Sequence, residues 1–198
     1  QKLDAISVRE ESGLALCKKY LGVNAVHLTD PTMLLTADEY KELVSHIPQS
    51  KTKYLFAYIL DQSEEKIRYA KKTANVLGLE LIIKGAGGHL TEEDSIEKWI
   101  AMFRDAQIVI TDSFHGSVFS IIFNKPFNAI GNKDRGMSRF NSLLSMYELE
   151  NRLIDVEDGD TQFNQDIDWS IVNAKINQYR EHAFRFLTNN LSRDAAKN

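Results

Sequence analysis

Cysteine is nearly absent: Cys17 stands alone in 198 residues, so no disulfide can close within the chain, and nothing around it has a metal-ligand spacing. A reducing cytoplasm suits such a lone thiol. Proline and glycine are scarce, at 3 and 10, too few for a long flexible linker, and neither a repeat period nor a low-complexity tract is present. No apolar run approaches the roughly 20 residues that cross a bilayer, and the first residues lack the basic-then-apolar layout of a signal peptide. No sign of charge dominates. Lys and Arg number 24 against 28 Asp and Glu, a net charge of -4, so no global basic field exists to gather nucleic acid or an anionic membrane surface, and any anion site must be local. Of the five histidines, His27, His46, His89 and His182 show no paired spacing, which argues against zinc. What the chain does have is a 43% hydrophobic content, sufficient for one full core and one large domain over residues 1–198.

The apolar residues come in alternating strand and helix patterns. Ala5 to Val8 reads as a short strand ending at Arg9, and a helical run from Ser12 is closed by Gly22. A second short strand, Ala25 to Leu28, is broken by Asp30-Pro31. Thr36 with Glu39 forms a capping box ahead of a helix that ends near His46. Tyr54 to Leu60 is almost continuously apolar, as expected of a strand covered on both faces. Ser63 caps a helix to Leu77, stopped by Gly78. Strands then follow at 79–83, 107–111, 127–130 and 152–156, with helices at 95–105, 116–123, 138–149 and 169–191. This alternation predicts an α/β fold: a Rossmann-like, doubly wound, mostly parallel sheet with helices on both faces, whose ligands meet the carboxyl ends of the strands. Trp99, Phe103, Phe119, Phe123 and Phe127 fall at core periodicity. Phe184 and Phe186 suit either the core or an interface.

The richest stretch runs from Ile108 to Phe127. An apolar strand enters the turn Asp112-Ser113-Phe114-His115-Gly116-Ser117, and a helix begins at once. Leading amides of a helix favour a carboxylate or phosphate, Gly116 permits close backbone approach, and His115 stands where it can donate a proton. The plain structural account is equally available at this point: Asp112 or Ser113 caps the helix and His115 is a surface histidine. The next loop, Gly131 to Phe140, carries Lys133, Arg135 and Arg139, and by topology it opens on the same sheet edge. The forked guanidinium of Arg135 suits a carboxylate or phosphate, although a solvated turn of alternating charge would look the same. Arg9 ends the first strand at that edge; its structural alternative is an ion pair with Asp4, Glu10 or Glu11. Lys84 to His89 is glycine-rich but fits neither the dinucleotide fingerprint nor a P-loop, and reads as a mobile loop.

Taken in order, Ile6-Ser7-Val8-Arg9-Glu10 with Ser12, Asp30-Pro31-Thr32, Thr111 to Gly116, Asn124-Lys125-Pro126-Phe127 and Arg139-Phe140 with Leu143-Leu144 resemble the polysaccharide pyruvyltransferase family over most of the chain. The resemblance implies one half of a GT-B-like enzyme, the carboxy-terminal Rossmann-like domain, with an N-terminal domain missing. It implies transfer of a pyruvyl group from phosphoenolpyruvate to a hydroxyl pair of a sugar, forming a ketal on a bacterial-type surface polysaccharide or its lipid-linked precursor, in the cytoplasm at the inner face of the cell membrane. The family's histidine maps onto His115 as general acid, and its donor-binding arginines map onto Arg9 and Arg135, with Ser113, Gly116 and Ser117 completing the donor elbow. No metal and no cofactor beyond the donor substrate are implied, and half of the cleft alone is expected to bind donor weakly without turnover. One departure stands out: some relatives carry Arg-Leu before the histidine, whereas Ser113-Phe114 precede His115 here.

Two alternatives share these residues. A GT-B glycosyltransferase donor domain would place a nucleotide-sugar diphosphate on the same elbow; against it stands the lack of a clear acidic residue for ribose after a glycine-rich turn, with Glu92 and Glu93 the nearest choices. A noncatalytic binding domain would use the elbow as a helix cap only.

Overall fold

The computed structural model describes residues 3–85, 95–131, 137–156, 163 and 166–191. Five strands form the main sheet: β3 (Tyr54–Tyr58), β4 (Glu80–Lys84), β5 (Ile108–Thr111), β6 (Phe127–Ile130) and β7 (Leu153–Ile154), in the order β4-β3-β5-β6-β7 and parallel throughout. The two earlier strands, β1 (Ser7–Val8) and β2 (Val26–His27), do not join them. They pair with each other in parallel as a separate two-stranded ribbon. The seven strand patterns are therefore correct in place, but they divide between two sheets, because nothing in a strand's own periodicity names its neighbour.

The strand order explains where the helices lie. The chain steps from β3 to β4 in one direction through α3 (Glu64–Leu77), then returns past β3 to β5 through α4 (Ile96–Asp105). It continues the same way through α5 (Phe114–Ile122) and α6 (Met137–Met146). Right-handed crossovers in opposite directions fall on opposite faces. So α3 covers one face, packing Tyr69, Ala70 and Ala74 on Leu55, Ala57, Ile59, Ile108 and Ile110. The other face takes α4, α5 and α6 together with α2 (Ala37–Leu43) and α7 (Trp169–Leu191), through Tyr40, Phe103, Val118, Leu144 and Ile176 against Phe56, Val109 and Phe127. Period-two alternation along each strand supplies both cores: in β3, Leu55 and Ala57 face one way and Phe56 the other.

Local chemistry sets the boundaries. Thr36 and Glu39 form the expected capping box at the start of α2, with Thr36 N donating to Glu39 Oε2 at 2.7 Å. Ser63 and Ser95 cap α3 and α4 by accepting from Lys66 and Lys98 amides. Gly78 ends α3 at φ 62°, a left-handed conformation that favours glycine. The run after Ser12 starts as α1 (Ser12–Leu16) and continues as a wider π turn over Cys17–Leu21 before Gly22. Trp99, Phe103, Phe119 and Phe123 lie in or against the core, as their periodicity predicts, and form a chain of edge-on and stacked rings with Trp99 and Phe119 centroids 4.9 Å apart. Phe184 is 47% exposed on α7. No helix among the described residues is long and apolar enough to cross a membrane.

Candidate functional site

A strand order that reverses at β3 opens a crevice at the carboxyl ends of β3 and β5, since their following segments leave toward opposite faces. The turn after β5 is built from inside. Thr111 Oγ1 donates to the Tyr58 carbonyl at 2.6 Å and accepts from the Ser113 amide at 3.0 Å. Gly116 rests on that threonine: a Cβ there would overlap Thr111 Oγ1 and stand 3.0 Å from Thr111 Cβ. Close approach is thus required at Gly116, and what approaches is the strand's own side chain. Ser113 is the helix cap, accepting from the Gly116 amide at 3.3 Å, and the fully buried Ser117 donates to the Ser113 carbonyl at 3.3 Å.

Asp112 is not the cap. Its carboxylate, with no exposed surface, accepts from the Leu60 amide at 2.6 Å, the Asp61 amide at 3.0 Å and Lys66 Nζ at 2.7 Å. It pins the end of β3 and the first turn of α3 to the end of β5. The sequence offers Asp112 and Ser113 as equal capping candidates; the strand pairing decides between them, because only Asp112 meets the β3–α3 turn.

His115 occupies the first turn of α5 with 47% of its side chain exposed, so its imidazole is open to a ligand. Its Nε2 lies 3.9 Å from Asp30 Oδ2, an ion-pair distance. The same Oδ2 accepts from Arg9 Nη1 at 2.8 Å. Arg9 does not pair with Asp4, Glu10 or Glu11 as its local alternative supposed; Asp30, across the two-stranded ribbon, is its partner. The Arg9 guanidinium also lies over the Phe114 ring, 5.0 Å from the centroid. Phe114 in turn meets His115 edge-on at 5.3 Å. So Arg9 at the end of β1, Asp30 beyond β2 and His115 beyond β5 converge, and two sheets deliver their carboxyl ends to one place.

The sequence marks Asp30 as a strand breaker and as part of the Asp30-Pro31-Thr32 resemblance, and gives it no role at the site. Its Oδ1 accepts from the Thr32 amide at 2.9 Å and starts a 3-10 turn over Pro31–Leu34. Burial works against its charge, yet the Thr32 hydrogen bonds, Arg9 and nearby His115 together hold its carboxyl below the ordinary value of 3.8. The segment around it is fixed from three sides. Thr29 Oγ1 shares a 2.8 Å hydrogen bond with the buried Tyr147 hydroxyl, Tyr40 Oη donates to the Thr32 carbonyl at 2.8 Å, and Arg180 of α7 donates to the Met33 and Leu35 carbonyls. The Arg9 turn is tied to α6, where Ser142 Oγ accepts from the Glu11 amide at 3.0 Å and Ser138 Oγ donates to Glu10 at 2.9 Å.

Arg135, Lys133, Glu92, Glu93 and residues 86–89 of the glycine-rich stretch lie outside the described residues, while its first residue, Lys84, is the last of β4. An open groove of about 830 Å³ runs along α3 past Ser63, Ile67, Arg68 and Lys71, and neither Arg9 nor His115 lines it. No group of three potential metal ligands occurs among the described residues.

A comparison with curated proteins gave no match. A family model described as polysaccharide pyruvyl transferase matches residues 1–134, a span that holds Arg9, Asp30 and His115 and stops one residue short of Arg135. The match covers more than half of the 198 residues, and it takes in four of the five strands of a parallel sheet whose reversal point carries an open histidine beside a paired arginine: the chain belongs to the polysaccharide pyruvyl transferase family.

Proposed function

We propose that this chain forms the donor side of a pyruvyl transfer from phosphoenolpyruvate to a pair of sugar hydroxyls on a surface polysaccharide or its lipid-linked precursor, at the cytoplasmic face of the membrane. The observation that carries this reading is the junction of Arg9 and His115 at the head of α5, a cation and a proton donor beside helix-start amides. Membership of the family supports a saccharide as acceptor. The donor carries a carboxylate and a phosphate, and both suit a guanidinium that has further N–H groups beyond the one given to Asp30.

His115, protonated, gives its proton to the methylene carbon of the donor, and positive charge develops at C2. One sugar hydroxyl forms its C–O bond there and loses its proton, which restores the one His115 gave; the bond from C2 to the phosphate oxygen breaks, and phosphate departs with the proton of the second hydroxyl. A second hydroxyl then closes the ketal. Arg9 holds the donor's negative groups in place and offsets charge on the leaving phosphate. Arg135 is the second donor arginine in this reading. Ser113, Gly116 and Ser117 contribute through backbone placement, since Thr111 and the helix start occupy their side-chain positions. The cleft is completed by a further N-terminal domain.

Calorimetry of phosphoenolpyruvate against this chain and its Arg9→Ala and His115→Ala variants tests the reading, with inorganic phosphate and uridine diphosphate as controls. Selective binding of phosphoenolpyruvate that Arg9→Ala abolishes is the expected result. Selective binding of uridine diphosphate would replace pyruvyl transfer by glycosyl transfer.

A further inference from the structure

We infer that Asp30 is a positioning residue: its buried carboxylate locks the Arg9 guanidinium against Phe114 and holds the His115 imidazole beside it, so that donor-binding cation and proton donor keep one fixed separation. The argument begins with burial. Asp30 has 3% of its side chain exposed while Arg9 has 38% and His115 has 47%, so the carboxylate lies behind the two groups that face solvent and cannot itself serve a substrate. One oxygen, Oδ1, is used by the Thr32 amide to start the turn. The other, Oδ2, is shared by Arg9 and His115 alone in the hydrogen bonds and ion pairs of the described residues.

A shared oxygen is an effective spacer only if it cannot move. Asp30 is held by the hydrogen bonds of Thr29 with Tyr147, Tyr40 with Thr32, and Arg180 with Met33 and Leu35, which join the turn to α2, to α7 and to the residue that follows α6. An arginine side chain otherwise samples many rotamers, and ordering it at the moment of binding weakens the complex. Here the ion pair at Nη1 and the Phe114 ring over which the guanidinium lies order it in advance.

Asp30→Asn is the informative substitution, because asparagine caps a turn as well as aspartate does while its amide nitrogen would confront Arg9 donor to donor. The first readout needs no ligand: nitrogen-resolved NMR of the Arg9 guanidinium, assigned with Arg9→Lys. In the unmodified chain the Arg9 Nη protons should be separately resolved through hindered rotation, and in Asp30→Asn they should average. An averaged Arg9 signal in the unmodified chain overturns the inference without recourse to any variant. The second readout rests on the donor reading above: phosphoenolpyruvate binding should weaken about tenfold or more in Asp30→Asn, and the same substitution should change nothing further in an Arg9→Lys background. Additive effects there would overturn the inference. If the unmodified chain does not bind phosphoenolpyruvate, the donor reading fails and the guanidinium spectrum alone decides the role of Asp30.

Discussion

Asp112→Asn is the perturbation with the largest expected effect on the fold. The carboxylate is fully enclosed and takes three hydrogen bonds, from two backbone amides and from Lys66, whose own side chain is only 13% exposed. An asparagine can leave one oxygen facing the Leu60 amide. Its NH2 group then faces both the Asp61 amide and the Lys66 ammonium, donor against donor, and the ammonium loses its counter-charge in a nearly dry site. Removing one partner of a buried ion pair costs about 3–5 kcal/mol. Lys66 keeps a 2.8 Å hydrogen bond to the Asp61 carbonyl and some access to water, so the lower end, about 3 kcal/mol, is expected. That is a large share of the roughly 5–15 kcal/mol by which a domain is stable. Urea unfolding followed by circular dichroism measures it as a shift in midpoint at constant slope. Lys66→Met removes the ammonium and should reduce the cost of Asp112→Asn by about 1–2 kcal/mol, a coupling that a double-mutant cycle isolates. A loss below about 1 kcal/mol for Asp112→Asn, with no coupling to Lys66, would refute the assignment of Asp112 as the pin between β3 and β5.

Gly116→Ala forces a methyl group onto Thr111 and should destabilise by about 1–3 kcal/mol in the same urea assay. His115→Gln, at a 47% exposed position, should leave the urea midpoint within about 0.5 kcal/mol of the parent while removing the proposed pyruvyl transfer in a phosphate-release assay. Thr36→Ala removes one side of the capping box and should cost about 1 kcal/mol, read from the melting temperature. The carboxyl of Asp30 is held below its ordinary 3.8, so its charge stabilises the fold above that value and the contribution is lost as pH falls through the lowered, folded value. Urea midpoints of the parent and of Asp30→Asn should therefore differ near neutral pH and converge in strong acid; a constant gap across the titration would contradict the ion pair.

Most elements were legible because their signals are local. The box Thr36-Glu39, the stop at Gly78 and the apolar run of β3 each act within one turn or one strand, and the structure places them where the residues do. The same holds for His115, since an apolar strand running into Ser113 and Gly116 dictates a turn and a helix start whatever lies around them. Tertiary structure decided what depends on pairs distant in sequence. That β1 and β2 pair apart from the main sheet follows from which strand edges meet, not from either strand's pattern. That Asp112 pins β3 while Ser113 caps follows from the β3–β5 pairing. That Arg9 chooses Asp30 over the nearer Asp4, Glu10 and Glu11 follows from the β1–β2 register, which sets the ends of both strands side by side and buries one carboxylate between an arginine and a histidine. Charge pairing is a matter of distance in space, and sequence spacing reports that distance only within a turn or two.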